Sequence, residues 1–213
     1  MATNQIKYVT PIGEAHYPWL NKPDTKFNPD GVYKVVMSFK KSPELEFMLK
    51  DLQKLLDDFY EETINNPKNS KYKTKITKVD IYEITGEHGD FISMKFKQNA
   101  IIKSMNGEFN AHIALFDSKG KPCPESQIGG GSRIKVCFTV APYYVPSTRV
   151  CGLTFRPVAV QVIELKDIKG ASAESYGFGV EEGGFESSDI EQPEGSPAFD
   201  DPMDDSAQEA SNF

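Results

Sequence analysis

The sequence predicts a mainly β protein: a small, closed or nearly closed barrel with one packed α-helix, followed by a disordered acidic tail. Three observations predict it. Several short segments alternate apolar and polar residues with period two and are separated by Gly- and Pro-containing turns. One segment alone repeats its apolar residues at spacings of three and four. Residues 171–213 then change composition, to Gly, Ser, Pro and acid with no sustained apolar period.

The first alternating segment, GVYKVVMSFK, sets Tyr33, Val35, Met37 and Phe39 on one face and Lys34, Ser38 and Lys40 on the other. The helix follows, over about 43–64. Ser42 is its N-cap, Pro43 its first residue and Glu44 an acid in its first turn. Leu45, Met48, Leu49, Leu52, Leu55, Leu56 and Phe59 form one apolar stripe, read as core packing, and Asn65-Asn66-Pro67 stops the helix. Lys68, Lys71, Lys73, Lys75 and Lys78 are read as a basic loop. FISMKFK turns Ile92, Met94 and Phe96 inward, and Ser93, Lys95 and Lys97 outward. AHIALFD reads as a strand that breaks at Ser118-Lys119-Gly120. RIKVCFTVAPYY places Ile134, Val136, Phe138 and Val140 inward, with Arg133, Lys135, Thr139 and Tyr143 outward. TFRPVAVQVIEL is a last, more apolar strand, in which Pro157 marks an edge or a bulge.

The 213 residues carry 24 Lys and Arg against 31 Asp and Glu, a net charge of −7. Twelve of those acids lie in 171–213, which holds no Lys or Arg, so residues 1–170 are net +5. The expected organisation is a mildly basic domain over 1–170 and a tail over 171–213. No apolar run approaches the roughly 20 residues of a membrane span, and MATNQIKYVT has no apolar stretch to serve as a signal peptide. Cys123, Cys137 and Cys151 are odd in number and widely spaced, which argues against a disulfide framework and for a reducing cytoplasm. No Cys-x-x-Cys occurs and His16, His88 and His112 are scattered, so no metal site is expected. Gly129-Gly130-Gly131-Ser132-Arg133 lacks a phosphate-binding loop's lysine and leads into a strand, so it reads as a tight turn. No nucleophile elbow or zinc-protease motif is present, and nothing argues for an enzyme or a cofactor.

The outward faces carry more information. Lys34, Lys95 with Lys97, and Arg133 with Lys135 put cations on three predicted strands, while Tyr143, Tyr17 and Trp19 add rings beside them. Cations neutralise a phosphate backbone and rings stack on unpaired bases, the combination a single-stranded nucleic acid requires. Each residue also has a plainer reading: lysines on a solvated strand face, and a core tryptophan at Trp19. In the tail, Phe178, Phe185, Phe199 and Phe213 punctuate the acids, which reads either as a solubiliser or as an interaction tail. On the second reading, Phe213 with Asp204, Asp205 and Glu209 are the candidate partner-binding residues. The competing function is a barrel that binds another protein, its tail a solubiliser or DNA mimic.

The blocks GVYKV, DSKGK, IGGGS-basic-x-K-V, Ala-Pro-Tyr and the closing V-x-V-I-E-L occur in this order. Together with the acidic tail ending in phenylalanine, they resemble the single-stranded-DNA-binding proteins of short-tailed lytic bacteriophages. The resemblance implies an OB-fold, a five-stranded barrel against which the helix packs, and a non-enzymatic role. It implies coating of single strands in replication, recombination and repair, and annealing of complementary strands. It also implies recruitment of the replicative polymerase and helicase-primase through the tail, dimerisation, and action in the host cytoplasm. The family's stacking Pro-Tyr falls on Pro142-Tyr143, and its N-terminal Ala-x-x-Pro-Tyr is approximated by Ala15-His16-Tyr17-Pro18. Two features depart from the family. Its lysine-rich start is reduced to Lys7, and Asp30 replaces a basic residue before the glycine of GVYKV.

Overall fold

The structure, a computed structural model, describes residues 6–104 and 107–166. The chain divides into two units, 1–169 and 170–213. The tail, with Phe213, Asp204, Asp205 and Glu209, lies outside the described residues.

In chain order the elements are β1 (Lys7–Val9), β2 (Gly13–Asp24), β3 (Val32–Lys40), α1 (Pro43–Asn65), a 3-10 helix (Pro67–Lys75), β4 (Thr77–Lys78), β5 (Glu83–Thr85), β6 (Phe91–Asn99), β7 (Ile101–Ser104), β8 (Gly107–Asn110), β9 (Ala114–Phe116), β10 (Arg133–Val145) and β11 (Val150–Glu164). Five of these curl into an OB-like barrel. β2 pairs with β3, β3 with β6, β6 with β11 and β11 with β10, and β10 returns to β2. All these pairings are antiparallel except β6–β11, and the two seams are short: Phe96 with Phe155, and Gly13 and Glu14 with Ile134 and Arg133. β1 covers Cys137–Thr139 of the β10 edge, while β9 and β4 cover stretches of β11 that β6 leaves unpaired.

The fold is the expected one, with two strands redistributed. β2 was not evident as a strand because it contains Pro18 and Pro23. The register explains how it tolerates Pro18: His16 pairs with Val36 and Trp19 with Lys34, so β2 carries one extra residue there, at a bulge that asks for no ladder hydrogen bond. AHIALFD supplies only the three residues of β9, a parallel edge pairing and not a barrel strand. Pro157 behaves as expected, since the register jumps between Phe138–Pro157 and Cys137–Ala159 and leaves Val158 as the extra residue of a bulge. The lysine run is a 3-10 helix with Lys78 on β4, in place of a loop.

α1 begins as expected: the Leu45 amide donates to Ser42 Oγ at 3.2 Å, and Pro43 opens the first turn, where it leaves no donor unsatisfied. It ends at Asn65, one residue beyond expectation. Leu45, Met48, Leu49, Leu52 and Leu56 are buried in the common core, and the helix packs on β10 and β11. The centre of that core is aromatic. Phe96, Phe138 and Phe155 lie 5.1–5.9 Å apart between ring centroids, and Tyr8 stacks on Phe138 at 5.6 Å. Among the described residues no helix is long and apolar enough to cross a membrane.

Candidate nucleic-acid interface

The strand registers set one row of outward side chains across six strands. Trp19 pairs with Lys34 and Lys34 with Lys97; Lys97 lies beside Arg156, one residue past the Phe96–Phe155 pair; Arg156 pairs with Thr139, and Thr139 with Lys7. The side-chain period of two makes this row outward, because the adjacent residues Leu20, Val35, Phe96, Phe155 and Phe138 are all buried. At about 4.8 Å between strands the row is roughly 24 Å long. Lys7, Lys97 and Arg156 are exposed, and among the described residues none of them makes an ion pair.

Lys34 opposite Lys97 is a like-charge cross-strand pair, which costs stability. Asp24 offsets it: Lys34 Nζ donates to Asp24 Oδ2, and the Lys26 amide donates to Oδ1 at 2.9 Å. The Lys34 hydrogen bond, supported by that amide, holds the Asp24 carboxyl below the usual carboxylate range. A carboxylate whose pKa is lowered on folding contributes stability that is complete above its unfolded value of about 3.9 and is lost as pH falls through the lowered folded value. Asp57, held down chiefly by its hydrogen bond from Lys78, acts in the same sense. The urea midpoint is therefore expected to fall between pH 5 and pH 2, and to fall less steeply in Asp24→Asn. An identical slope in the variant would remove Asp24 from the account.

The β2 bulge places two rings at the end of the row. Tyr17 has φ of +51°, a left-handed conformation rare for a bulky residue, and its side chain is 80% exposed. Trp19 is 44% exposed, which contradicts the core reading of this tryptophan. The strand kinks where it would otherwise bury the tyrosine, and both rings face solvent beside Lys34.

Tyr143 lies on the same outward face, four residues along β10 from Thr139. It pairs with Gly152, and its ring crosses over that glycine so closely that a Cβ there would sit 2.7 Å from the Tyr143 Oη. The ring is half-buried, with the missing Cβ of Gly152 as its seat. Lys95 is exposed on this face too, and its Nζ donates to Glu83 Oε1 at 2.7 Å. Ser93 and Thr139 take this outer face as expected but are buried there, where β5 and β1 pair beside them.

Arg133 and Lys135 lie on the other side of the row from Tyr143, six and four residues along β10 from Thr139. They share a face of β10 with Tyr143, but ten residues of strand, about 33 Å, separate Arg133 from Tyr143. The barrel's stagger spans the same ten residues. Stepping from Glu14 to Ser38, Ser93 and Gly152 leads to Tyr143, whereas the direct β2–β10 seam joins Glu14 to Arg133. Arg133 is flanked by Glu14 and by Glu164, whose carboxylate is 3.7 Å from it, and Lys135 faces Gln161. The lysine 3-10 helix forms a further basic surface, tied to the β10–β11 turn by the Thr77 amide on the Arg149 carbonyl and by Arg149 over the Tyr72 ring at 4.6 Å.

A cleft of about 540 Å³ opens beside the row, between the barrel and the β7–β8 hairpin. Lys97, Arg156 and Thr154 line it from the barrel, Ile102 and Lys103 from the hairpin, and Asn28 and Asp30 from the β2–β3 turn. Among the described residues no group of His, Cys, Asp and Glu is placed to hold a metal ion.

A family model described as the single-stranded DNA-binding protein of bacteriophage T7 matches residues 12–165. The chain belongs to that family. It is 29% identical over 202 residues to the single-stranded DNA-binding protein of Enterobacteria phage T3, covering 87% of each chain. To that of Escherichia phage T7 it is 27% identical over 195 residues, covering 84% of each. The crystal structure of gp2.5, a single-stranded DNA-binding protein encoded by bacteriophage T7, superposes with a TM-score of 0.68 at 24% identity, over 81% of this chain and 98% of the other, so the fold is shared. Membership makes this protein a phage single-stranded-DNA-binding protein and a binder, not an enzyme.

Of the residues singled out in the sequence, the row unites Trp19, Lys34 and Lys97, with Tyr17, Lys95 and Tyr143 on its flanks. Arg156 escaped sequence reading although its signal was present: in TFRPV, an inward Phe155 forces Arg156 outward. Lys7 and the β7–β8 hairpin had no such signal, because only the register of β1 on β10 and the cleft bring them to the site.

Proposed function

We propose that the body of this protein binds single-stranded DNA without strong sequence preference. Lys7, Lys34, Lys97 and Arg156, with Lys95 beside them, contact phosphates, while Trp19, Tyr17 and Tyr143 stack on bases. The observation that carries this reading is the row itself, where Lys7, Lys97 and Arg156, without ion pairs among the described residues, run in line with the exposed Trp19 and the Asp24-paired Lys34. Such a row serves a strand whose base faces are free, and a duplex hides them. Arg133 and Lys135 continue the same face of β10 on the other side of Thr139 from Tyr143, with Arg133 flanked by Glu14 and Glu164.

The finer reading follows the family. The acidic tail competes with DNA for the cationic groove at the high effective concentration of a tethered segment. Once displaced by DNA, it recruits the replicative polymerase and helicase-primase through Phe213, Asp204, Asp205 and Glu209. The protein acts as a homodimer in the host cytoplasm, coating strands and promoting annealing during replication, recombination and repair. Fluorescence-anisotropy titration of labelled oligo-dT tests both levels, using the full chain, a 1–170 truncation and a duplex control. Single-strand binding that tightens on truncation is the expected result. Weaker binding by the truncated form would sink tail competition, and no binding by either form at low salt would sink the groove.

A further inference from the structure

The β7–β8 hairpin belongs to no strand of the barrel: it is a separate two-stranded sheet inserted between β6 and β9. Nothing in barrel construction requires it, yet it carries two exposed apolar side chains. Ile102 is 42% and Phe109 is 52% exposed. The two are directly paired across the hairpin, which puts both on one face. Ile102 lines the cleft against the barrel.

The cleft has the chemistry of a nucleotide site. Lys97, Lys103 and Arg156 supply three cations. Asp30 accepts from Lys103 Nζ at 2.9 Å and is the one acid lining the cleft, so cations are in excess. Glu108, opposite Lys103 on the hairpin, adds to the pull on that ammonium, and the two acids raise its pKa. Asn28, Gln98 and Asn99 add amides that donate and accept. Lys97 and Arg156 also belong to the row, so the cleft continues the groove and is not a separate pocket.

We propose that this cleft is an additional nucleotide subsite, in which Lys103 joins Lys97 and Arg156 on backbone phosphates and Phe109, the exposed cross-strand partner of the lining residue Ile102, provides a stacking platform at the cleft's edge. It rests on the single-strand reading above and extends the strand's path from the open face to a site walled on two sides. Phe109 determines how tightly a strand is held, and the barrel row determines whether it is held.

The test is oligo-dT titration of the full chain against Phe109→Ala, Phe109→Tyr, Lys103→Ala and Trp19→Ala, each first shown by thermal melting to be folded. Phe109→Ala is expected to weaken binding roughly 5- to 150-fold, and Phe109→Tyr, which keeps a ring, to restore it. Lys103→Ala is expected to reduce the slope of log affinity against log salt by about 0.7, the value of one phosphate contact on a single strand. Wild-type affinity and salt slope in Phe109→Ala and Lys103→Ala, with affinity lost in Trp19→Ala, would overturn the subsite and leave the groove intact. Failure of the unmodified chain to bind would overturn both.

Discussion

Trp19→Ala is expected to lower the affinity for oligo-dT by about 1–3 kcal/mol, roughly 5- to 150-fold, with little change in stability. Trp19 is exposed at a strand bulge, so its removal opens no core cavity. The ring acts by stacking, and stacking is not screened by salt. The loss is therefore expected to be the same at 50 and 300 mM salt. Lys97→Ala and Arg156→Ala are expected to behave otherwise, each lowering affinity mostly at low salt and each removing about 0.7 from the salt slope. Anisotropy titrations across a salt series separate the two kinds of contact. A Trp19→Ala loss that disappears at high salt would mean that the tryptophan only positions Lys34, its cross-strand partner.

Phe138→Ala is expected to destabilise the body by about 3–5 kcal/mol. Phe138 is fully buried, with Phe96, Phe155 and Tyr8 around it at centroid distances of 5.1, 5.4 and 5.6 Å. It is the shared contact of these three rings, so none of its neighbours can close the cavity without abandoning another. For a domain of this size the melting temperature is expected to drop by roughly 6–20 °C. The same cluster is the floor beneath the row: Phe96, Phe155, Phe138 and Tyr8 are the inward neighbours of Lys97, Arg156, Thr139 and Lys7. Differential scanning calorimetry measures the loss. A change below about 1 kcal/mol, less than the range for deleting a buried phenylalanine, would show that the core refills and that the row does not depend on this ring.

Much of the fold was legible because its signals are local. Alternation in GVYKVVMSFK and FISMKFK assigned Lys34, Lys95 and Lys97 to the outward face, and Ser42, Pro43 and Asn66 bracketed the helix. The family blocks carried the barrel and the ligand class. Trp19 was ambiguous because β2 is interrupted by Pro18, and period-two reading fails where a bulge adds a residue. Lys103 and Phe109 lie on a hairpin whose use depends on what stands opposite it.

The sequence by itself determined which face of the regular strands each side chain takes, where the helix starts and stops, that the charge is split between a basic body and an acidic tail, and the family. Only the tertiary structure decided which outward residues meet. Facing is a property of neighbouring residues along one strand, whereas meeting depends on register between strands far apart in the chain. In this barrel, the pairwise registers bring Lys7, Arg156, Lys97, Lys34 and Trp19 from five strands into one row, and a circuit of the five strands from Glu14 reaches β10 at Tyr143, ten residues from the Arg133 that Glu14 meets directly.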